Sequence, residues 1–183
     1  TWEALTGFHA GISRDMLETP EGTLLLSGPV SLLGSEGIGL YRLAANAQSL
    51  SDVSPSAAAI HALVSAGEGY LLCASGDGVW ASTDDGMSWD LRLTAQYGAV
   101  SALARLRDGK CYAASARGAF YISENHGWDW ATVTTAMGTM HELYKPVDFI
   151  GMNIEGWLVA GSYIGFTGIS TDGGHRWVQQ VIT

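Results

Sequence analysis

Three stretches of the sequence share one pattern: Ser82-Thr83-Asp84-Asp85-Gly86-Met87-Ser88-Trp89, Ser123-Glu124-Asn125-His126-Gly127-Trp128-Asp129-Trp130 and Ser170-Thr171-Asp172-Gly173-Gly174-His175-Arg176-Trp177. The shared pattern is S-x-[DN]-x-G-x-x-W, and we call these stretches the repeat turns. A weaker copy over 43–50 keeps the preceding Gly39-Leu40-Tyr41-Arg42 but has lost the acid, the glycine and the tryptophan. The copies end at positions 50, 89, 130 and 177, a spacing typical of proteins built from stacked repeats.

Each residue type in the pattern has a role in a tight turn. An Asp or Asn side chain accepts hydrogen bonds from the backbone N–H groups that follow it. Glycine takes the positive φ that other residues resist, the serine hydroxyl ties down the same loop, and the tryptophan starts the next strand. The pattern therefore predicts structural rather than catalytic roles for Ser82, Asp84, Gly86, Trp89, Ser123, Asn125, Gly127, Trp130, Ser170, Asp172, Gly174 and Trp177.

Four short strands are predicted around each repeat turn, and the clearest set is 100–106, 110–115, 119–123 and 130–134. Residues 56–63 also have helical propensity, but their alignment with 99–103 favours a strand. The sequence thus predicts an all-β fold, a single β-propeller with about four four-stranded blades over 7–56, 57–96, 97–136 and 137–183.

The opening segment aligns with the outermost strands of the later blades. Residues 1–6, which contain Trp2, are therefore predicted to be the outer strand of a preceding blade. On this interpretation the four blades are part of a larger propeller, and its further blades come from the parent chain or from another subunit.

Three repeat turns in a fixed blade context make nearly the whole chain resemble the Asp-box, or bacterial neuraminidase repeat, propellers. That superfamily includes sialidases, xyloglucan-degrading hydrolases, sortilin-type receptors, photosystem assembly factors and phage or bacterial surface proteins, so the fold does not determine the function. Sialidases need three arginines around the substrate carboxylate, a Tyr–Glu pair and an acid. The seven arginines here show no such placement, and no acid pair of the xyloglucanases is matched. No catalytic residue is predicted.

Composition narrows the possible partners. The chain has 183 residues, 47% of them hydrophobic and 15% charged, which argues against disorder. The net charge of −9 disfavours nucleic acid and anionic membrane surfaces, and no apolar stretch is long enough for a membrane span. No cofactor and no metal ligand set are predicted.

Cys73 and Cys111 are expected to be buried free thiols on opposite faces of their strands.

Two groups of residues are candidate ligand contacts. His9, His61 and His141 are predicted at matching positions at the start of first strands, where Ser101 takes their place in blade three. They would ring the channel mouth, either as a site for a metal, an anion or another ligand or as repeated hydrogen bonds to the backbone of a neighbouring blade. The loops between second and third strands carry Asp77, Arg117 and Tyr163, and blade one has an insertion there over 27–37. These aromatic and polar groups either bind a sugar or are ordinary loop residues without a ligand. His126 and His175 are expected to face solvent.

These observations predict a non-enzymatic recognition or adhesion propeller of a secreted, cell-surface or virion protein, phage tails included. Its ligand would be a glycan or a protein, and its location extracellular. Two alternatives remain open, which are a fragment of an Asp-box glycoside hydrolase and a protein-assembly scaffold.

Overall fold

The computed structural model describes residues 15–32, 35–133, 147–162 and 166–180. In this part of the chain sixteen strands form four antiparallel sheets, each a four-stranded meander in chain order, and there is no helix. We call these sheets blades one to four. The all-β fold with four four-stranded units is confirmed.

The strand bounds are as follows. Blade one contains β1 (Asp15–Glu18), β2 (Leu24–Leu32), β3 (Ser35–Leu43) and β4 (Ser51–Asp52). Blade two contains β5 (Ile60–Gly67), β6 (Tyr70–Ser75), β7 (Gly78–Ser82) and β8 (Asp90–Thr94). Blade three contains β9 (Val100–Arg105), β10 (Cys111–Ser115), β11 (Phe120–Ser123) and β12 (Ala131–Val133). Blade four contains β13 (Phe149–Met152), β14 (Leu158–Ser162), β15 (Phe166–Ser170) and β16 (Val178–Gln180).

The second strands of the inner blades are buried on both faces. All five residues of β10 are buried, as are five of the six in β6. A strand that is covered on both faces has a continuous run of apolar and small residues, whereas a strand with one exposed face alternates apolar and polar residues. The blades are therefore stacked face to face, and each inner blade lies between two others.

Buried apolar residues of the described chain fall into three clusters, one at each junction between consecutive blades. Leu25 and Leu40 of blade one meet Ile60, Leu63 and Leu71 of blade two. The second cluster joins blades two and three, and the third joins blades three and four. We call the side of a blade that looks toward the next blade in the chain its forward face, and the opposite side its backward face.

One local expectation changes. Residues 27–37 are not an inserted loop, since β2 and β3 stay paired out to Leu32 and Ser35. The strand favoured over a helix for residues 56–63 is present as β5, which begins at Ile60. In blade four, the first strand that the structure describes, β13, begins at Phe149. The predicted outer strand at 1–6 lies outside the described residues and stays a prediction.

The two cysteines are buried and free, as expected, but not on opposite faces. Leu71 and Cys111 hold equivalent places, because each pairs with the first serine of its repeat turn. Cys73 is therefore two residues along from the place of Cys111, and both thiols lie on backward faces, in different junctions.

Candidate binding face and blade junctions

The repeat turns of blades two, three and four share the hydrogen bonds of their serine and acid or amide, and the tryptophan bond is present in blades three and four. In blade three, Ser123 Oγ donates to Asn125 Oδ1 and accepts from Gly127 N at 2.9 Å. Asn125 Oδ1 also accepts from Asp129 N at 2.9 Å, and Trp130 Nε1 donates to Gly127 O at 2.8 Å. The serine and acid bonds recur at Ser82 and Asp84 and at Ser170 and Asp172. These side chains therefore hold the backbone of each turn in its conformation.

Each repeat turn also presses against the preceding blade. Gly86, Gly127 and Gly174 all have positive φ, and a Cβ at Gly127 would lie 2.5 Å from both methyl carbons of Leu72. At Gly86 the nearest atom would be Leu25 Cδ2 at 2.9 Å. Glycine is thus required at these sites for two reasons, which are the left-handed backbone conformation and the close approach of the turn to the preceding blade.

The fourth position of the repeat turn reaches into the preceding blade. Asp85, at φ 59°, accepts hydrogen bonds from the hydroxyls of Thr19 and Thr23 and forms an ion pair with Arg42. Arg42 Nε also donates to Asp85 O at 2.8 Å. Burial alone would raise the pKa of Asp85, but these hydrogen bonds and the guanidinium charge hold the pKa below its usual value.

His126 takes the same position in blade three and is not solvent-facing as expected. Because a carbonyl can only accept, His126 Nδ1 carries the proton that is shared with Ala66 O at 2.8 Å. The imidazole stacks on Tyr70 with ring centroids 5.3 Å apart. In blade four the position is Gly173, which offers no side chain. His175, in contrast, is exposed.

The first strands surround a cavity of about 270 Å³, lined by Asp15, His61, Ser101 and Asp148 among others. By pairing register, the place of His61 is taken by Ser101 in blade three and by Asp148 in blade four. His9 and His141 lie outside the described residues, so the histidine ring stays a prediction.

Two of the cavity-lining side chains bond to the backbone of the next blade. Asp15 Oδ2 accepts from Leu63 N at 2.7 Å, and Ser101 Oγ donates to Val147 O at 2.6 Å. This is the alternative role considered for the histidines. No group of three or more His, Cys, Asp or Glu residues in the described part of the chain could hold a metal ion.

The loops between second and third strands differ in how freely their side chains are presented. Asp77 accepts hydrogen bonds from Ser75 Oγ and from Trp80 Nε1 at 3.1 Å, so its carboxylate is engaged within its own blade. Burial would raise the pKa of Asp77, but hydrogen bonds from Ser75, Ser56 and Trp80 hold it below its usual value. Arg117 is exposed, and Tyr163 lies outside the described residues.

Sequence reasoning missed Tyr97, which lies in the loop from blade two to blade three and is 47% exposed. Arg117 lies beside this loop, since a Cβ at Gly98 would be 3.3 Å from its Cγ. Ala116 N donates to Ala99 O at 2.8 Å, which ties the two loops together. We call Tyr97 and Arg117 the Tyr97–Arg117 patch. An exposed aromatic residue in a linker between predicted strands was the available signal.

No family model and no curated protein matches the sequence. Solved structures do match. YCF48 bound to a D1 peptide is 16% identical with a TM-score of 0.65, over 94% of this chain and 54% of that one. YCF48 from Cyanidioschyzon merolae is 13% identical with a TM-score of 0.65, over 94% and 57%. The fold is that of a β-propeller.

A third propeller match is the extracellular domain of BT4673 from B. thetaiotaomicron, 11% identical with a TM-score of 0.64, over 86% of this chain and 21% of that one. At these identities the likeness shows the fold alone. This propeller chain spans between about a fifth and somewhat over half of the length of the three proteins. In its described residues, no helix has the length and apolar character to cross a membrane.

Proposed function

We propose that this propeller is a non-enzymatic recognition module. Its ligand would lie on the face that carries the loops between second and third strands and the loops between blades. The observation that carries the proposal is the Tyr97–Arg117 patch, which places an exposed aromatic ring and an exposed guanidinium on adjoining loops. Such groups combine stacking with charged hydrogen bonding, and Tyr and Arg are enriched at binding hot spots.

The patch stands on loops that are already held in place. Ala116 N donates to Ala99 O, and Ala95 N donates to Asp77 O at 2.9 Å, so both ends of the Tyr97 loop are fixed to neighbouring strands or loops. A preorganised loop loses less conformational entropy when a ligand binds. Asp77 contributes by positioning this loop through its backbone.

A protein segment is the first candidate ligand, and a glycan is the second. YCF48, a structural neighbour with this fold, is known bound to a peptide. The glycan is favoured by the exposed ring of Tyr97, which can stack on the apolar face of a sugar. Tyr163 and the channel-mouth histidines remain proposed additional contacts.

We further propose that the chain is an Asp-box propeller of an extracellular, cell-surface or virion protein, phage tails included. The hydrogen bonds of the three repeat turns support the Asp-box assignment. The extracellular location is supported by the extracellular domain of BT4673. A glycoside hydrolase fragment and an assembly scaffold are the competing functions.

Binding of the labelled protein to a peptide library and to a glycan array tests this proposal. Tyr97→Ala and Arg117→Ala should each weaken the best interaction by about tenfold or more, as expected for hot-spot residues. Met87→Ala, which changes an exposed side chain in a repeat turn, is the control and should bind normally. Equal binding by all three variants would overturn the proposed site, and release of a fluorescent aglycone from sugar conjugates would favour the hydrolase.

The predicted ring of His9, His61 and His141 is tested separately with zinc. A ligand-binding ring should show a melting temperature that rises with zinc concentration, and replacement of all three histidines by glutamine should abolish the rise. If saturating zinc leaves the melting temperature unchanged, the ring is not a metal site.

A further inference from the structure

The outer edge of blade three carries a pocket that the proposed function does not use. The pocket has a volume of about 490 Å³ and lies beside the repeat turn, where β11 ends and β12 begins. The described residues that line it are Ile122, Glu124, Asn125, Asp129, Trp130 and Ala131. All six belong to blade three, which lies between blades two and four, so the pocket is formed within a blade that has a neighbour on each side.

Two carboxylates distinguish the repeat turn of this blade from the other two. Glu124 stands where the other repeat turns have threonine, and Asp129 stands where they have Ser88 and Arg176. Both positions lie outside the S-x-[DN]-x-G-x-x-W pattern that closes the turn. Closure of the turn therefore does not require an acid at either position, and the two carboxylates are available for another role.

Hydrogen bonds within the blade hold the groups of the pocket in place. Asn125 Nδ2 donates to Asp129 Oδ2 at 2.9 Å, and Trp130 Nε1 donates to a carbonyl of the same turn at 2.8 Å. Lys110 Nζ donates to Glu124 Oε1 at 2.6 Å, and this hydrogen bond and the ammonium charge hold the pKa of Glu124 below its usual value. Among the described residues, no hydrogen bond is made to the second oxygen of either carboxylate, so Glu124 Oε2 and Asp129 Oδ1 can each accept one from a ligand.

The charge of the pocket favours a cation. Glu124 and Asp129 bring two formal negative charges, and Lys110 balances one of them. One negative charge is left over, on a chain whose net charge is −9, so the surrounding field also attracts cations. The indole of Trp130 adds an aromatic surface, which attracts a cation through the ring quadrupole.

The chain itself shows how such groups hold a guanidinium. Arg92 Cζ lies 3.1 Å from the centroid of the Trp128 ring, and Arg92 Nη2 donates to Asp90 Oδ2 at 2.9 Å. An indole and a carboxylate thus bind this arginine together. Arg92 belongs to β8, the outer strand of blade two, whereas β12 of blade three has no arginine. Blade three therefore has an indole and carboxylates at its outer edge without an arginine of its own.

We propose that the pocket of blade three binds an arginine side chain of a partner protein. Glu124 Oε2 and Asp129 Oδ1 accept hydrogen bonds from the guanidinium, and Trp130 contacts its plane. Arginine fits better than lysine because its planar group carries five donors and stacks on aromatic rings. The repeat turn and the Tyr97 loop lie at opposite ends of outer strands, so this is a second site, separate from the Tyr97–Arg117 patch.

Titration with a single blocked arginine, N-acetyl-arginine methylamide, tests the proposal. The chain is labelled isotopically, and the indole N–H signal of Trp130 is followed by NMR. This signal should shift in a saturable way. The citrulline analogue has the same length but no charge, so it should bind at least about tenfold more weakly.

Neutral variants of nearly the same shape identify the groups that bind. Replacement of both acids, Glu124→Gln with Asp129→Asn, should weaken arginine binding by at least about tenfold, because the guanidinium loses two charged acceptors. Glu21→Gln with Glu155→Gln is the matched control. It removes the same charge from two exposed side chains in turns of blades one and four, and it should bind normally. Thermal melting establishes that both double variants are folded.

Four outcomes would overturn the proposal. These are a Trp130 signal that does not shift with arginine, equal binding of the citrulline analogue, a double variant that binds as well as its control, and a glycan that shifts the Trp130 signal where arginine does not. The test is independent of the proposed function, because Tyr97→Ala should leave arginine binding unchanged.

Discussion

Replacement of Gly127 by alanine separates the two reasons for glycine in a repeat turn. Gly127 has φ +83°, and its added Cβ would lie 2.5 Å from two carbons of Leu72. Gly173 in blade four has φ +71°, and a Cβ there would meet no atom within 4 Å. Gly173→Ala is therefore a matched control that carries the backbone cost without the collision.

The backbone cost is shared by the two variants. An alanine in the left-handed region loses about 1–2 kcal/mol, which is the whole cost expected for Gly173→Ala. Gly127→Ala adds an overpacking cost of about 1–3 kcal/mol. Leu72 is fully buried, so its methyl groups cannot move aside without displacing other core atoms. The total for Gly127→Ala is about 2–5 kcal/mol from the same two costs.

Urea denaturation of both variants and of the unmodified chain measures the difference in the free energy of unfolding. For a chain of this size the melting temperature should fall by about 2–4 °C for each kcal/mol. Equal losses in the two variants, within about 0.5 kcal/mol of the control, would refute the close approach to blade two as the reason for glycine.

Three further outcomes are expected. Ser123→Ala should lower the free energy of unfolding by about 1–3 kcal/mol in urea titrations, because Gly127 N–H is left buried and unpaired; an unchanged midpoint would contradict this. The pKa of Asp85 is lowered, so its contacts stabilise the fold above the unfolded pKa of about 3.9 and are lost as the pH falls through the folded value. The melting-temperature difference between wild type and Asp85→Asn should therefore shrink in acid, and a constant difference would exclude the ion pair as its cause. Burial raises the pKa of the Cys111 thiol to about 11 and also raises that of Cys73, so a thiol reagent should label neither cysteine until the chain unfolds, and fast labelling of native protein would argue against this packing.

The local chemistry of the sequence determined the repeat turns and the strands around them. Ser123, Asn125 and Gly127 close their turn with atoms that lie within a few residues of one another, so the pattern S-x-[DN]-x-G-x-x-W was sufficient. The four four-stranded units followed from the regular spacing of these turns. Short-range hydrogen bonds and strand periodicity are properties that a sequence carries without reference to distant residues.

Only the tertiary structure decided what the variable positions do. The repeat pattern leaves its x positions unspecified, so it assigns them no role. Asp85 and His126 nevertheless contact the preceding blade, through residues about 60 positions away in the chain. Asp148 holds the place of His61 in blade four, because the register of β13 against β14 fixes that position. The Tyr97–Arg117 patch forms where two loops meet. Such long-range pairings depend on how the blades stack, and the physical reason that sequence could not supply them is that every local pattern is compatible with several registers.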